Sequence, residues 1–352
     1  MIRNDLWVII LNLLKVSDLD LHFEKISTYR GGLMGIATIM IIMCHAASWC
    51  TGLPSLVRSI LLLGNLGVDL FLFLSGVGLF FSWGSLPSTQ VQGLNPRIKW
   101  LFRRYVRLLV PYLLISIPFY VLLGCLKDDS LSTIVSNIFT VSYWTRHEGA
   151  WYVAMLIPLY LVTPFLFKLF SGRWKWIWFF LLTFCCLVNV FIRFDTHSFL
   201  QNVQFVISRL PCFFLGICIA PCVKGTKIVS ISPFVFCLVL MALLSLAYIA
   251  YKSGTVFAVF VVPCLVFMFC ILFDVISQSF YDVMSLLGSV SLESYLLNIY
   301  LPRFFNEFQF PILKESPFYM YLATIVLGIA GALFFGGLNK KLVVRINQSF
   351  SL

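Results

Sequence analysis

Charge is scarce in this chain. Only 11% of its 352 residues are Asp, Glu, Lys or Arg, and just 14 of them are acidic, against about 25% charged residues in ordinary soluble domains. So few charges cannot tile a water-exposed surface, which excludes the two or three soluble domains that the length alone would allow. A metal-ligand or disulfide pattern is also lacking. The eleven cysteines show no ligand spacing, and Cys185–Cys186 is the only close pair. Cys44, Cys125, Cys212, Cys218, Cys237, Cys264 and Cys270 sit inside apolar runs, where a thiol behaves as a small buried hydrophobe. No low-complexity tract or repeat appears. That excludes a disordered or collagen-like chain, and it disfavours a transporter built from inverted halves.

What the chain has instead is hydrophobicity: 61% apolar residues, with 36 Phe, 14 Tyr and 9 Trp, and a mean hydropathy of +0.97. Since a helix needs about 20 apolar residues to cross a bilayer, the composition predicts an all-α polytopic transmembrane helical bundle of about ten spans. The segments fall at 31–50, 60–83, 105–125, 151–170, 176–192, 203–222, 231–251, 255–273, 283–301 and 318–338. The longer connections are 84–99 and 127–150. Residues 6–14 are too short to span and suit the membrane interface, and the first residues carry no cleavable signal pattern. The chain divides into an N-terminal cytoplasmic or interfacial segment (1–30), a membrane domain (31–340) and a cytoplasmic tail (341–352).

The net charge of +11 fits membrane topology better than nucleic acid, because the cations cluster in short loops between apolar runs. With the N-terminus inside, seventeen basic residues lie on the inner side, Lys15, Arg30, Arg97, Arg103, Lys224 and Lys340 among them. Seven lie outside: Arg58, Lys127, Arg146, Arg193, Lys252, Arg303 and Lys314. The positive-inside rule then predicts both termini in the cytoplasm.

An ionisable side chain at bilayer depth needs a partner or a job. Four stand out. His45, late in the first span, is either an interfacial histidine bonded to a neighbouring helix or a general base, since neutral imidazole accepts a proton near physiological pH. Arg30 opens the same helix fifteen residues earlier, about 22 Å along the axis and within about 60° of His45 around it. The two can line one tunnel. Asp69, in the glycine-rich stretch GNLGVDLFLFLSGVGLFF, is either an ion-pair partner or the group that orients His45; its glycines also mark a helix-packing seam. Glu293, near Ser291, Ser294, Tyr295 and Asn298, belongs to a polar seam or to a substrate site. Arg209 is expected near the outer end of its span, with its guanidinium snorkelling to water. The run WLFRRYVRLLVPYLL anchors topology at the least. Its Arg103 and Arg107 stand one helical turn apart, where they can form a fork for phosphate.

In order along the chain, these stretches resemble the membrane-bound acyltransferase-3 family, which includes O-acetyltransferases of bacterial surface polysaccharides. GIATIMIIMCHA is similar to a motif in which ten residues separate an arginine from a histidine, with His45 in the histidine position. Gly67, Val68, Asp69, Phe71, Ser75 and Gly76 look like its glycine-valine-aspartate segment. Arg103, Arg104, Arg107, Pro111 and Tyr112 resemble its arginine-rich third span, and Trp151, Tyr160 and Pro164 a later one. The likeness runs from about Thr28 to Leu338. It departs at two positions. The motif's arginine falls on Met34, one turn beyond Arg30, and Asn298 stands where many relatives have a second histidine.

The resemblance implies a cell-membrane O-acyltransferase of bacterial type, taking its acyl group, acetyl by default, from acyl-coenzyme A in the cytoplasm. The acceptor would be a glycan or lipid-linked sugar. No metal or nucleic acid is implied. In that reading His45, Asp69 and Arg30 are catalytic, and Arg103, Arg104 and Arg107 hold the coenzyme's phosphates. Glu148, Trp151, Tyr152 and Glu293 meet the acceptor, the first three in an aromatic and charged segment whose faces and rims suit a sugar. The competing reading is a proton-coupled transporter or flippase of lipid-linked sugars, with His45, Asp69 and Glu293 as a relay.

Overall fold

A computed structural model describes residues 19–50, 52–86, 95–196, 198–251, 255–308 and 316–349; side chains at 246–251 and 255 are not described. The 6–14 stretch, Lys15, Lys252 and Lys314 lie outside the described residues, as does much of the 84–99 connection. The helices in chain order are α1 (Lys25–Thr28), α2 (Arg30–Trp49), α3 (Ser55–Leu62), α4 (Leu66–Gly84), α5 (Pro96–Lys127), α6 (Leu131–Ile138), α7 (Val141–Arg146) and α8 (Trp151–Ser171). They continue as α9 (Lys175–Val190), α10 (Phe199–Ile207), α11 (Leu210–Lys224), α12 (Pro233–Tyr251), α13 (Ala258–Val275), α14 (Gln278–Ser289), α15 (Ser291–Phe308) and α16 (Pro317–Ser349).

Among the described residues, seven helices are long and apolar enough to cross a membrane: Arg30–Trp49, Ser55–Gly84, Pro96–Lys127, Trp151–Ser171, Phe199–Lys224, Ala258–Val275 and Pro317–Ser349. Two more, Lys175–Phe191 and Pro233–Ser245, are apolar but shorter. The apolar segment predicted at 283–301 is instead divided between α14 and α15, which meet at Val290. Polar residues on both sides of that joint, Ser289, Ser291, Glu293 and Ser294, weaken it as a membrane span. The 127–150 connection holds α6 and α7, and the Ser130 hydroxyl caps α6 by accepting from the Thr133 amide at 3.3 Å. Helix α16 runs unbroken to Ser349, about 50 Å at 1.5 Å per residue. It therefore outreaches a hydrocarbon core of about 30 Å, and the 341–352 tail is helical as far as 349.

Among the described residues there is one sheet, of two strands. Strands β1 (Leu19–His22) and β2 (Ile228–Ile231) pair antiparallel, Leu19 opposite Ile231, and fasten the start of the described chain to the α11–α12 connection. Next to them the Tyr29 hydroxyl donates to Asp274 at 2.8 Å. That bond to a carboxylate, with burial adding to it, pushes the tyrosine pKa up to about 12.

Helix α2 is the hub of the bundle, packed against α3, α4, α14 and α15. Its crossing with α14 is a backbone contact. A methyl group at Gly35 would lie 1.8 Å from the Met284 carbonyl oxygen, and one at Gly288 would lie 2.1 Å from that of Gly31. Only small residues permit so close an approach, which is how helices pack without a hydrophobic driving force in lipid. The α4–α11 crossing works the same way through Gly76 and Gly216. These contacts fix the rotation of α2, and with it where Arg30 and His45 point.

Candidate functional site

Arg30 is the first residue of α2. Helix rotation turns it toward α4, α5, α8 and α15, where those helices enclose a cavity of about 280 Å³. Each wall is a helical stripe: Phe71 and Ser75 from α4, Arg104, Arg107 and Leu108 from α5, Tyr152, Leu156 and Tyr160 from α8, Ser291 and Tyr295 from α15. Spacings of three and four place such residues on one helix face. No Asp or Glu lines this cavity among the described residues. The Nε groups of Arg30 and Arg104 are buried without a hydrogen-bond partner, and Arg104 also lies over the ring of Trp100, 5.4 Å from its centroid. Gly78 makes room for the cluster, since a methyl group there would sit 3.1 Å from Arg30 Nη2. Three guanidinium groups, half-buried at Arg30 and Arg104 and exposed at Arg107, line this partly apolar chamber and suit an anion rich in oxygen.

A wider cavity of about 560 Å³ shares Arg30, Met34, Arg107, Ser291 and Leu292 with the first. It adds Glu293, Asn339 and Lys340. Asn339 Nδ2 donates to Glu293 Oε1 at 2.7 Å. Glu293 thus sits beside the cationic cluster, and neither Glu148 nor Trp151 lines either cavity.

Of the fork expected from Arg103 and Arg107, only Arg107 lines the cavities. Arg103 is exposed and lines neither cavity. The convergent arginines are Arg30, Arg104 and Arg107, because the inward stripe of α5 runs through 104, 107 and 108.

Asp69 and His45 have different hydrogen-bond partners. Arg209 Nη1 donates to Asp69 Oδ2 at 2.5 Å, and its Nη2 donates to Asn65 Oδ1 at 2.9 Å. Both side chains of the ion pair are 1% exposed. The guanidinium also lies against the rings of Phe205 and Trp151, at 5.5 and 5.9 Å. The expected snorkelling of Arg209 is therefore replaced by a buried ion pair that ties α4 to the start of α11.

His45 lies one turn beyond Ile41, whose side chain lines the arginine-bearing cavity. Its Nδ1 is 2.5 Å from Asn298 Oδ1 on α15. Asn298 also bonds to Tyr321 of α16, which donates to the Ile42 carbonyl of α2.

The segment that leads into α8 and its first turn are divided. Arg146 Nε donates to Glu148 at 3.2 Å on an exposed face. Trp151 packs edge-on against Phe205, with centroids 4.9 Å apart. Tyr152, by contrast, points into the arginine-bearing cavity and its amide donates to the Tyr295 hydroxyl at 3.4 Å. Tyr160, Tyr295, Ser75 and Lys340 line the cavities as well, beyond the residues that the sequence singles out for the site. The four-residue spacing of Tyr152, Leu156 and Tyr160 was the available signal for the first of these.

Comparison with curated proteins and with solved structures gives no match. A family model described as an acyltransferase domain matches residues 32–337, nearly the whole chain. That stretch holds the hub helix, two of the three convergent arginines and His45, and the chain belongs to the acyltransferase-3 family.

Proposed function

We propose that this protein is an integral-membrane O-acyltransferase of a bacterial cell membrane. It moves an acyl group, acetyl in the simplest case, from cytoplasmic acyl-coenzyme A to a hydroxyl of a cell-surface or lipid-linked glycan. The observation that carries the reading is the convergence of Arg30, Arg104 and Arg107 on one cavity without an acidic residue, at the opposite end of α2 from His45. In this reading the arginine end faces the cytoplasm, as the distribution of Lys and Arg favours. Both termini are then inside. The coenzyme's phosphates meet the guanidinium groups, and its extended arm runs along α2, where Arg30 and His45 are separated by about 22 Å.

The chemistry needs one base and one path. His45 Nε2 takes the proton of the acceptor hydroxyl as its oxygen attacks the thioester carbonyl carbon. A C–O bond forms, the C–S bond breaks, and the coenzyme thiol leaves with a proton. Glu148 and Trp151 supply a polar rim and an aromatic face for the glycan at the mouth of α8. Asp69 serves by holding Arg209, and through it the Trp151 ring. Glu293 stands on the donor side.

The separate partners of His45, Asp69 and Glu293, namely Asn298, Arg209 and Asn339, favour this reading over a proton relay through the three. Purified protein given labelled acetyl-coenzyme A and glycan acceptors tests the proposal. Label covalently bound to sugar supports it. Sugar movement across liposomes without coenzyme would replace it with transport.

A further inference from the structure

His45 depends on an amide, and an amide is ambiguous. Turned one way, Asn298 offers Oδ1, which holds a hydrogen on the imidazole Nδ1 and leaves Nε2 as the basic atom. Turned the other way, it offers an N–H, which selects the opposite tautomer and blocks Nε2. Replacing the orienting aspartate of a Ser-His-Asp triad with asparagine costs about 10⁴ in kcat for this reason.

Here a chain of hydrogen bonds that starts from a backbone carbonyl favours one of the two. The Ile42 carbonyl can only accept, so the Tyr321 hydroxyl must donate to it. The hydroxyl oxygen, its hydrogen committed to Ile42, can then only accept: of the two amide atoms beside it, Nδ2 at 3.2 Å can donate to it and Oδ1 at 3.3 Å cannot. That leaves Asn298 Oδ1 facing His45 Nδ1 at 2.5 Å. Asn298 and Tyr321 are each only 2% exposed, so water cannot easily substitute for either bond. Three helices meet in this chain, and it begins and ends on α2 within one turn.

We propose that Tyr321, acting through Asn298, is a positioning residue that locks His45 in the tautomer with a free Nε2. The inference rests on His45 being the base of the acyl transfer proposed above. It extends that reading to two residues on other helices, and to a backbone carbonyl as the anchor of the catalytic tautomer.

The test uses the full-length purified protein. Tyr321→Phe removes only the hydroxyl. It should lower kcat by about 10- to 100-fold, within the range for impaired general-base catalysis, and leave the donor KM unchanged. Asn298→Asp offers oxygen on both sides, so the lock becomes unnecessary. This variant should keep kcat within about tenfold of the parent, and adding Tyr321→Phe to it should cause little further loss. A purely structural tyrosine would cost as much in the Asn298→Asp background as in the parent, and that outcome overturns the lock.

An activity-independent readout comes from ring-¹⁵N-labelled histidine, with the His45 signal assigned by its loss in His45→Ala. The parent should show Nδ1–H, Tyr321→Phe should shift the population toward Nε2–H, and the double variant should restore it. An unchanged tautomer in Tyr321→Phe refutes the inference. If the tautomer responds as expected while His45→Ala remains fully active, the lock stands and the catalytic reading of His45 fails.

Discussion

The arginine cluster yields a prediction with an internal control, because helix α5 presents two adjacent arginines to different surroundings. Arg104 lines the cavity with a buried, unpartnered Nε, whereas Arg103 is exposed and lines neither cavity. Changing Arg104 or Arg107 to Gln removes a charge-assisted hydrogen bond to phosphate, worth about 1.5–3 kcal/mol. Since about 1.4 kcal/mol corresponds to tenfold in affinity, coenzyme A should bind about ten- to a hundredfold more weakly. Arg103→Gln should change affinity by less than about threefold, the scale of an exposed and screened charge. Arg104→Lys should recover only part of the loss, because lysine keeps the charge and loses the fork. Titration calorimetry in detergent at two salt concentrations measures all four variants, and the dependence on salt should flatten in the two glutamine variants that bind weakly. Equal effects from Arg103 and Arg104 would refute the assignment and return the whole run to topology anchoring.

Two further perturbations bear on the rest of the site. Asp69→Leu strands a buried guanidinium and should cost about 3–5 kcal/mol, whereas adding Arg209→Met should recover most of it; unfolding in detergent measures both, and a double variant worse than either single would contradict the ion-pair account. Trp151→Ala or Glu148→Gln should raise the acceptor KM with donor affinity preserved, and loss of donor binding instead would place this segment on the coenzyme side.

The extent of the bundle was legible in the sequence because hydropathy is a local property. The runs at 31–50, 105–125 and 151–170 read directly as α2, α5 and α8. Arg30 and His45 were likewise legible as a pair, since a single continuous helix carries both. What sequence could not reveal depends on helix rotation and on distance along the chain. Arg103 and Arg104 both have partners at helical spacing, and only the packing of α5 decides which stripe turns inward. Asp69 and Arg209 are 140 residues apart, with no local pattern linking them. The pairing of Leu19 with Ile231 is equally remote. The joint at Val290 is not legible in the hydropathy because Val, Leu and Ile around the seam keep its mean up while the serines and Glu293 break the span.

The central claim is that His45 is the base for acyl transfer from coenzyme A. Its most direct test is the rate at which purified parent and His45→Ala proteins move labelled acetyl from acetyl-coenzyme A to a glycan hydroxyl, with coenzyme binding measured on the same samples. The account predicts a loss of about 10²–10⁴-fold in transfer with coenzyme affinity intact. Near-normal transfer by the His45→Ala protein would contradict it.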